Sequence, residues 1–542
     1  MQRGIKDLET AKSFFKPSLD QLHSPWLMAD MEKAVDRINL AREKGERIMV
    51  YGDYDVDGTT AVALLSSFLQ KNDVVLETYI PDRYKEGYGV STLGIDTAAE
   101  NGVALIIALD CGVKAIKKVE YAQSKGIDFI ICDHHTPGPE LPKALAILDP
   151  KRKNCSYPYK GLSGCGVGFK LAQALCEAWD GDPESYWSLL DLLALSIGAD
   201  IVPMTGENRI LAFHGLKKIN EQPSPGLEAL LKTSDKAIGN LSISDLVFTL
   251  APRINAAGRI DHGKKAVDLL SGQDLSSLEQ IAQEIDQRNS ERRDLDQQIS
   301  AEALELIDKD SDRYSTVVYQ EHWHKGVIGI VASRLIENYY RPTVVLTKSG
   351  DKWAGSARSV QGFDLYETLS DCEAHLIQYG GHPAAAGMTI LEENLAPFAE
   401  AFEEAVKSRI RADQRQPSLI CDLVIDAKEI DPKLYRLIQR CGPFGPENMA
   451  PVLVMHGLVD AGSRIVGKDL SHLKINLLDS NTGLSFDGIG FGMAERLEWL
   501  KQSSAVSVAF HLETNEYQGH VSLQLRVLDL KDSDLAKSEL EN

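Results

Sequence analysis

Ile48-Met49-Val50-Tyr51-Gly52-Asp53-Tyr54-Asp55-Val56-Asp57-Gly58-Thr59-Thr60 joins an apolar run to the helix-like Ala61-Val62-Ala63-Leu64-Leu65 through three aspartates on alternate positions. Continued as a strand, the alternation turns all three carboxylates to one side. Like charges at that spacing repel, and burying them costs more still unless a cation compensates. One reading is a divalent-metal site at a strand end. The other is a solvated acidic turn, bent at Gly58, with Asp57 or Thr59 capping the helix.

Working outward, the strand–helix pattern repeats. Residues 48–51, 74–80, 103–109, 129–132 and 146–148 read as strands, with helical patterns at 60–70, 92–101 and 113–125. Continuous apolar strands alternating with amphipathic helices imply an α/β fold with a parallel sheet covered on both faces. Such sheets place ligands at the carboxyl ends of their strands. Those ends carry Asp53, Asp55 and Asp57, then Leu109-Asp110-Cys111, then Cys132-Asp133-His134-His135, while a helical stretch at 188–197 runs into Ala199-Asp200. Four segments thus deliver carboxylate or imidazole to one sheet edge, which favours the metal site over the turn.

Beyond Asp200, Pro252-Arg253-Ile254-Asn255-Ala256-Ala257-Gly258-Arg259 reads as a loop holding two arginines among small residues. A long polar helix with one apolar stripe is expected over 276–308, as a connector between domains. A second α/β unit begins near 313 and includes the Gly-rich segments Gly355-Ser356-Ala357-Arg358 and Gly380-Gly381-His382-Pro383. From about 418 the pattern becomes short alternating strands with turns, as in a small closed barrel of the OB type. The expected organisation is a lead-in over 1–45, a catalytic domain over 46–270, the connecting helix over 271–310, a smaller α/β substrate-binding domain over 311–414, the OB-like domain over 415–535 and a tail over 536–542.

Composition bounds the function. The 542 residues call for several domains, and 43% hydrophobic with 25% charged residues describes a globular protein. No apolar run reaches bilayer length and the N-terminus lacks a signal-peptide core. The eight cysteines form no CxxC pair, which fits reduced thiols in the cytoplasm. A net charge of −21 argues against indiscriminate binding to duplex DNA, but not against a local cationic channel or metal ions bridging carboxylates to phosphates. Aspartate and histidine ligands without thiolates suit Mn²⁺ or Mg²⁺, so Cys111 and Cys132 are read as packing residues.

Asp53-Tyr54-Asp55-Val56-Asp57-Gly58, Leu109-Asp110, Asp133-His134-His135 and Ala199-Asp200, in that order, resemble the four motifs of the DHH phosphoesterase superfamily. Residues 323–334, 355–358 and 380–387 are similar to the associated domain of that superfamily's bacterial single-stranded-DNA exonucleases, and the resemblance spans roughly 45–535. It implies two divalent cations, Mn²⁺ or Mg²⁺, which in such sites lie roughly 3.5–4 Å apart, activate a water and neutralise the attacked phosphate. It implies further that Asp110 bridges, that Asp53 and Asp55 hold one ion, and that Asp57, His134 and Asp200 hold the other. His135 then faces the scissile phosphate, and Asp133 either orients a histidine or caps a helix. Many members carry histidine where Asp53 stands, a change that keeps a ligand and adds negative charge.

By the same resemblance, Arg253, with Arg259 beside it, is expected near the scissile phosphate. Arg83, Ser356 and Arg358 are expected to hold the 5′ end, and His382 to shape the substrate path; interdomain ion pairs are the alternative for the arginines. The implied activity is 5′-to-3′ hydrolysis of single-stranded DNA to mononucleotides in repair and recombination, by a cytoplasmic monomer with a single-strand-binding protein and a repair helicase as partners. Two alternatives stay open: a phosphodiesterase acting on oligoribonucleotides or cyclic dinucleotides, and a non-catalytic DNA-binding scaffold.

Overall fold

In the computed structural model, described for residues 3–260, 262–307, 312–517, 519–534 and 536, the chain divides into two compact units. One comprises residues 23–200 and 214–418; the other comprises residues 1–22, 201–213 and 419–542.

The larger unit holds two sheets. The first contains β1 (Arg47–Gly52), β2 (Leu76–Tyr79), β3 (Val103–Leu109), β4 (Asp128–Cys132) and β5 (Ala146–Leu148), all parallel, in the order β2-β1-β3-β4-β5. Connections leave β1 in both directions, so a crevice opens at the carboxyl ends of β1 and β3, where ligands bind in sheets of this kind. The central strands are buried on both faces, and nearly every residue of helix Val56–Lys71 is buried as well. That helix lies among the sheet and the helices Gly164–Ala178 and Leu190–Ala199. Its close approach to β1 needs glycine at 58, where a Cβ would stand 2.4 Å from the Asp53 carbonyl oxygen.

The second sheet contains β6 (Thr316–Gln320), β7 (Thr343–Ser349), β8 (Lys352–Arg358), β9 (Leu376–His382) and β10 (Ala385–Ile390), in the order β6-β7-β8-β10-β9, with only β6 and β7 parallel. Its core is formed by Val344, Leu346, Trp353, Phe363, Phe398 and Phe402. The long connecting helix spans Leu275–Leu306, with Leu278, Ala282, Ile285, Ile299 and Ala303 forming its buried stripe. The remainder of the expected helix, 308–310, lies outside the described residues.

The expected loop at 252–259 is instead the helix Ala251–Ile260, entered through a π-helical turn at Leu246–Leu250. Proline within a helix can neither donate to nor pack beneath the carbonyl four residues back. The wide turn just ahead of Pro252, where Ala251 N–H reaches the Leu246 carbonyl, relieves that conflict.

The smaller unit carries β11 (Leu423–Val424), β12 (Leu453–Asp460), β13 (Arg464–Val466), β14 (His472–Asp479), β15 (Leu484–Gly490), β16 (Val506–Tyr517) and β17 (His520–Asp532). They run in the order β11-β12-β16-β17-β15-β14-β13, and an additional pairing of β12 with β14 brings the hydrogen-bonded order back on itself. Leu473, Ile475, Leu477, Val508, Phe510 and Leu525 fill its core. Of the expected tail at 536–542, residues 537–542 lie outside the described residues. All eight cysteines are free thiols, and among the described residues no helix is long and apolar enough to cross a membrane.

Candidate metal centre

The aspartate trio does not continue β1 as a strand. The strand stops at Gly52, and Asp55 caps the following helix by accepting the Gly58 N–H at 3.0 Å. An aspartate three residues ahead of a free helical amide makes that cap, which ends the period-two alternation. The turn is not solvated either, because Asp53 and Asp57 are buried. Asp57 falls in the first helical turn and is held by three donors. The Gly164 and Cys165 N–H groups and the Ser196 hydroxyl reach its carboxylate at 2.7, 2.8 and 2.7 Å. Two of these donors belong to the start of helix Gly164–Ala178, where unsatisfied amides favour an anion.

Asp110 ends β3 in the left-handed region, with φ of 58°. Aspartate tolerates that conformation better than most residues, and such strain is typical of functional sites. Its N–H is secured by the Cys132 carbonyl at 2.9 Å. Gly164 packs so close that a Cβ there would stand 2.5 Å from the Asp110 Cβ.

From β4, His134 places Nε2 3.2 Å from Asp110 Oδ1, 3.5 Å from Asp200 Oδ2 and 3.8 Å from Asp57 Oδ2. Asp200 arrives at the C-terminal end of helix Leu190–Ala199. Two groups of potential ligands result, Asp57–His134–Asp200 and Asp110–His134–His135, joined through His134. Asp53 and Asp55 add their charges to the cluster from the β1 side, where both act on Asp110.

The electrostatics call for a cation. Burial first, and then the charge of Asp55, pushes the Asp53 carboxyl well above its usual range; burial with Asp57 and Asp55 does the same to Asp110. Burial, Asp57 and Asp55 lift Asp200 to about 9. Burial holds the His134 ring below its ordinary value, in the neutral form that ligates metal. Asp53 Oδ2, Asp110 Oδ1, both nitrogens of His134 and Asp200 Oδ2 are buried without a hydrogen-bond partner. Each such atom costs about 1–3 kcal/mol if left unsatisfied. An all-oxygen-and-imidazole set with converging unpartnered atoms fits hard divalent cations.

Asp133 does not cap a helix. It accepts the Val113, His134 and His135 N–H groups and His135 Nδ1, the last at 2.8 Å. Although burial opposes it, those bonds and the His135 charge bring Asp133 down to about 2. His135 is thereby oriented, and its Nε2 lies 3.2 Å from the Tyr88 hydroxyl. Beside it opens a cavity of about 370 Å³ lined by Tyr88, Lys114, Lys118, His135 and His382.

The arginines fall into two groups. Arg83 stacks over the Tyr54 ring at 4.8 Å, Arg259 donates to the Gly326 carbonyl at 2.8 Å, and Arg358 donates to Ser356 Oγ at 3.1 Å. These three guanidiniums sense one another: burial, Arg83, Arg292 and Arg358 lower Arg259 to about 10, and burial with Arg83 lowers Arg358. Clustered cations of this kind form a seat for an anion. Arg253 is paired differently, with its guanidinium on Asp286 at 2.8 Å and on the Thr249 carbonyl at 2.6 Å. Those partners are not residues of the metal centre.

Sequence reading missed Ser196, the Gly164 and Cys165 amides, and Tyr88. Ser196 was within reach of it, because it precedes Asp200 by one helical turn and so faces the same way. The amide contacts and Tyr88 depend on tertiary approach and leave no local signal.

The model of the DHH family N-terminal domain matches residues 47–197, that of the DHHA1 domain residues 313–408 and that of the RecJ OB domain residues 421–529. The single-stranded-DNA-specific exonuclease RecJ of Bacillus subtilis is 37% identical over 98% of this chain and 67% of its own length. The crystal structure of RecJ in complex with Mn²⁺ from Thermus thermophilus superposes with a TM-score of 0.83 at 26% identity, covering 98% of this chain and 74% of that one. The Mg²⁺ complex of that protein gives 0.77 at 25% identity, covering 98% and 73%. In sequence and in fold, this chain belongs to the RecJ family.

Proposed function

We propose that this chain is a metal-dependent exonuclease that hydrolyses single-stranded DNA from the 5′ end and releases mononucleotides. The observation that carries the reading is the set of buried, unpartnered carboxylate and imidazole atoms of Asp53, Asp110, His134 and Asp200 at the carboxyl edge of the first sheet. The names of the relatives supply the single-stranded DNA substrate. Polarity rests on Arg83, Ser356 and Arg358, which gather cationic and hydroxyl groups suited to a 5′ phosphate.

Asp53 and Asp55 would hold one cation and Asp57, His134 and Asp200 the other, with Asp110 available to both. When bound, the two ions supply an activated water and neutralise charge on the attacked phosphate. The protein's part is positional. Gly164, Cys165 and Ser196 fix the Asp57 carboxylate, and Asp133 holds His135 through Nδ1 so that Nε2 is directed away from it, where a phosphate oxygen would take the place of the Tyr88 hydroxyl. Arg253 is kept for the scissile phosphate in this reading: Asp286 holds its Nε and the Thr249 carbonyl one further N–H, and the remaining guanidinium N–H groups can meet a phosphate oxygen. His382 shapes the cavity beside His135. The division of labour follows 46–270 for catalysis, 311–414 for substrate binding and 415–535 for nucleic-acid contact. Action in the cytoplasm, as a monomer working with a single-strand-binding protein and a repair helicase in DNA repair and recombination, belongs to the same reading.

The test is degradation of DNA labelled at either end, single-stranded and duplex, with Mn²⁺ or Mg²⁺. Label at the 5′ end should appear first, as mononucleotide, from single strands alone. Release from the 3′ end first, or faster turnover of a cyclic dinucleotide or an oligoribonucleotide, overturns the reading.

A further inference from the structure

The π-helical turn Leu246–Leu250 is an unusual element, and π-turns concentrate at functional sites. It packs on the helix that delivers Asp200: a Cβ at Gly198 would meet Val247 at 3.3 Å. The next residue, Phe248, is 79% exposed, an extreme value for an aromatic side chain in a packed unit. Phe248 lines a cavity of about 320 Å³ together with Thr249, Pro252, Arg253, Arg292 and Arg293. Lys236 and Asp235 border it, the latter being the one carboxylate among the lining residues.

The cationic surplus is local. Arg292 and Arg334 share the buried carboxylate of Asp296, which Arg334 engages at 2.8 Å, and Arg293 adds a further charge beside them. Arg292 Nε is buried without a partner. In a chain of net charge −21, guanidiniums gathered beside an exposed aromatic ring answer the two recurrent features of single-stranded nucleic acid, a stacking base and a phosphate.

We infer that Phe248 and the guanidiniums of Arg292 and Arg293 form a subsite for a nucleotide of the single strand, separate from the residues that seat the 5′ phosphate. The base stacks on Phe248 and the flanking phosphates meet the arginines. The inference rests on the single-strand exonuclease reading and adds to it a grip that only substrates longer than a dinucleotide can use.

The experiment uses the full chain with Phe248→Ala, Phe248→Trp and Arg293→Gln, all at exposed positions. It compares kcat/KM on a 5′-phosphorylated dinucleotide and a 20-nucleotide DNA, and measures binding of a 3′-labelled 20-mer in chelator. Phe248→Ala should lower kcat/KM and affinity for the 20-mer about tenfold while shifting the dinucleotide less than about twofold, and Phe248→Trp should restore both. Arg293→Gln should reduce the salt slope of 20-mer binding by about 0.7. Variants with the wild-type dependence on length and salt overturn the subsite while leaving the exonuclease reading intact. A wild-type chain that neither binds nor degrades single-stranded DNA overturns both.

Discussion

Asp110 and Asp57 are both buried carboxylates, yet their surroundings differ in kind. Asp57 has three donors in place, whereas Asp110 Oδ1 has none and faces His134 at 3.2 Å. Asp110 therefore depends on a cation far more than Asp57 does. Asp110→Ala should lower turnover at least about a thousandfold with folding retained, since residues that act as one catalytic unit fail together. Near-normal cleavage would end its assignment as the bridge. Asp110→Asn, which removes the repulsion and keeps the volume, should raise the stability of the metal-free protein by about 1–3 kcal/mol in chelator, read by thermal unfolding. Ser196 acts through Asp57, and a lost outer partner typically costs about 10–100-fold in metal affinity. Ser196→Ala should show that loss in a Mn²⁺ titration and recover activity at high Mn²⁺; unchanged affinity would remove Ser196 from the site. At this scale the sequence was legible where chemistry repeats in short motifs: the Asp and His positions stood out by type and spacing. It was silent on which carboxylate is pre-satisfied, because that depends on amides of Gly164 and Cys165 more than a hundred positions away.

Elements decide how those side chains meet. Helix Gly164–Ala178 starts against the left-handed turn at Asp110, and its first residue has no room for a side chain. Gly164→Ala would force the helix and the end of β3 apart and pull two donors from Asp57. The expected result is a destabilisation of about 1–3 kcal/mol by denaturant unfolding, with weakened Mn²⁺ binding. A stable variant that binds metal normally would show that the approach is looser than 2.5 Å implies. The parallel strands were readable almost to the residue, because a strand buried on both faces is a plain apolar run, as in β3 and β5. Two local readings failed for one reason. Asp55 breaks a strand alternation by capping a helix, and Pro252 sits inside a helix because a π-turn precedes it. In both cases backbone hydrogen bonding overrode what side-chain type and periodicity had favoured.

At the scale of the whole molecule, the chain is not a row of separate beads. The smaller unit gathers residues 1–22 and 201–213 around the C-terminal sheet. Within it, Met204 is fully buried, its N–H bonds the Pro446 carbonyl at 2.7 Å, and Gly445 packs against its side chain. Arg209 stacks on Phe14 at 3.9 Å and donates to the Gly442 carbonyl at 2.6 Å. Sequence reading could place the C-terminal strands but not these returns, since 201–213 carries no composition that sets it apart from its neighbours. The consequence can be measured. Cutting the chain after Ser418 removes Gly442, Gly445 and Pro446, which uncovers Met204 and leaves Arg209 with Phe14. Exposing one buried methionine and orphaning its neighbouring bonds costs about 2–5 kcal/mol. Because Ile201 follows Asp200 directly, loosening that segment should also loosen Asp200, a ligand in the proposed metal centre. A 1–418 fragment is therefore expected to unfold at lower temperature and to bind Mn²⁺ more weakly, beyond any loss of DNA affinity. A fragment with the parent's unfolding temperature and Mn²⁺ affinity, deficient only toward DNA, would show that the C-terminal sheet serves the substrate alone.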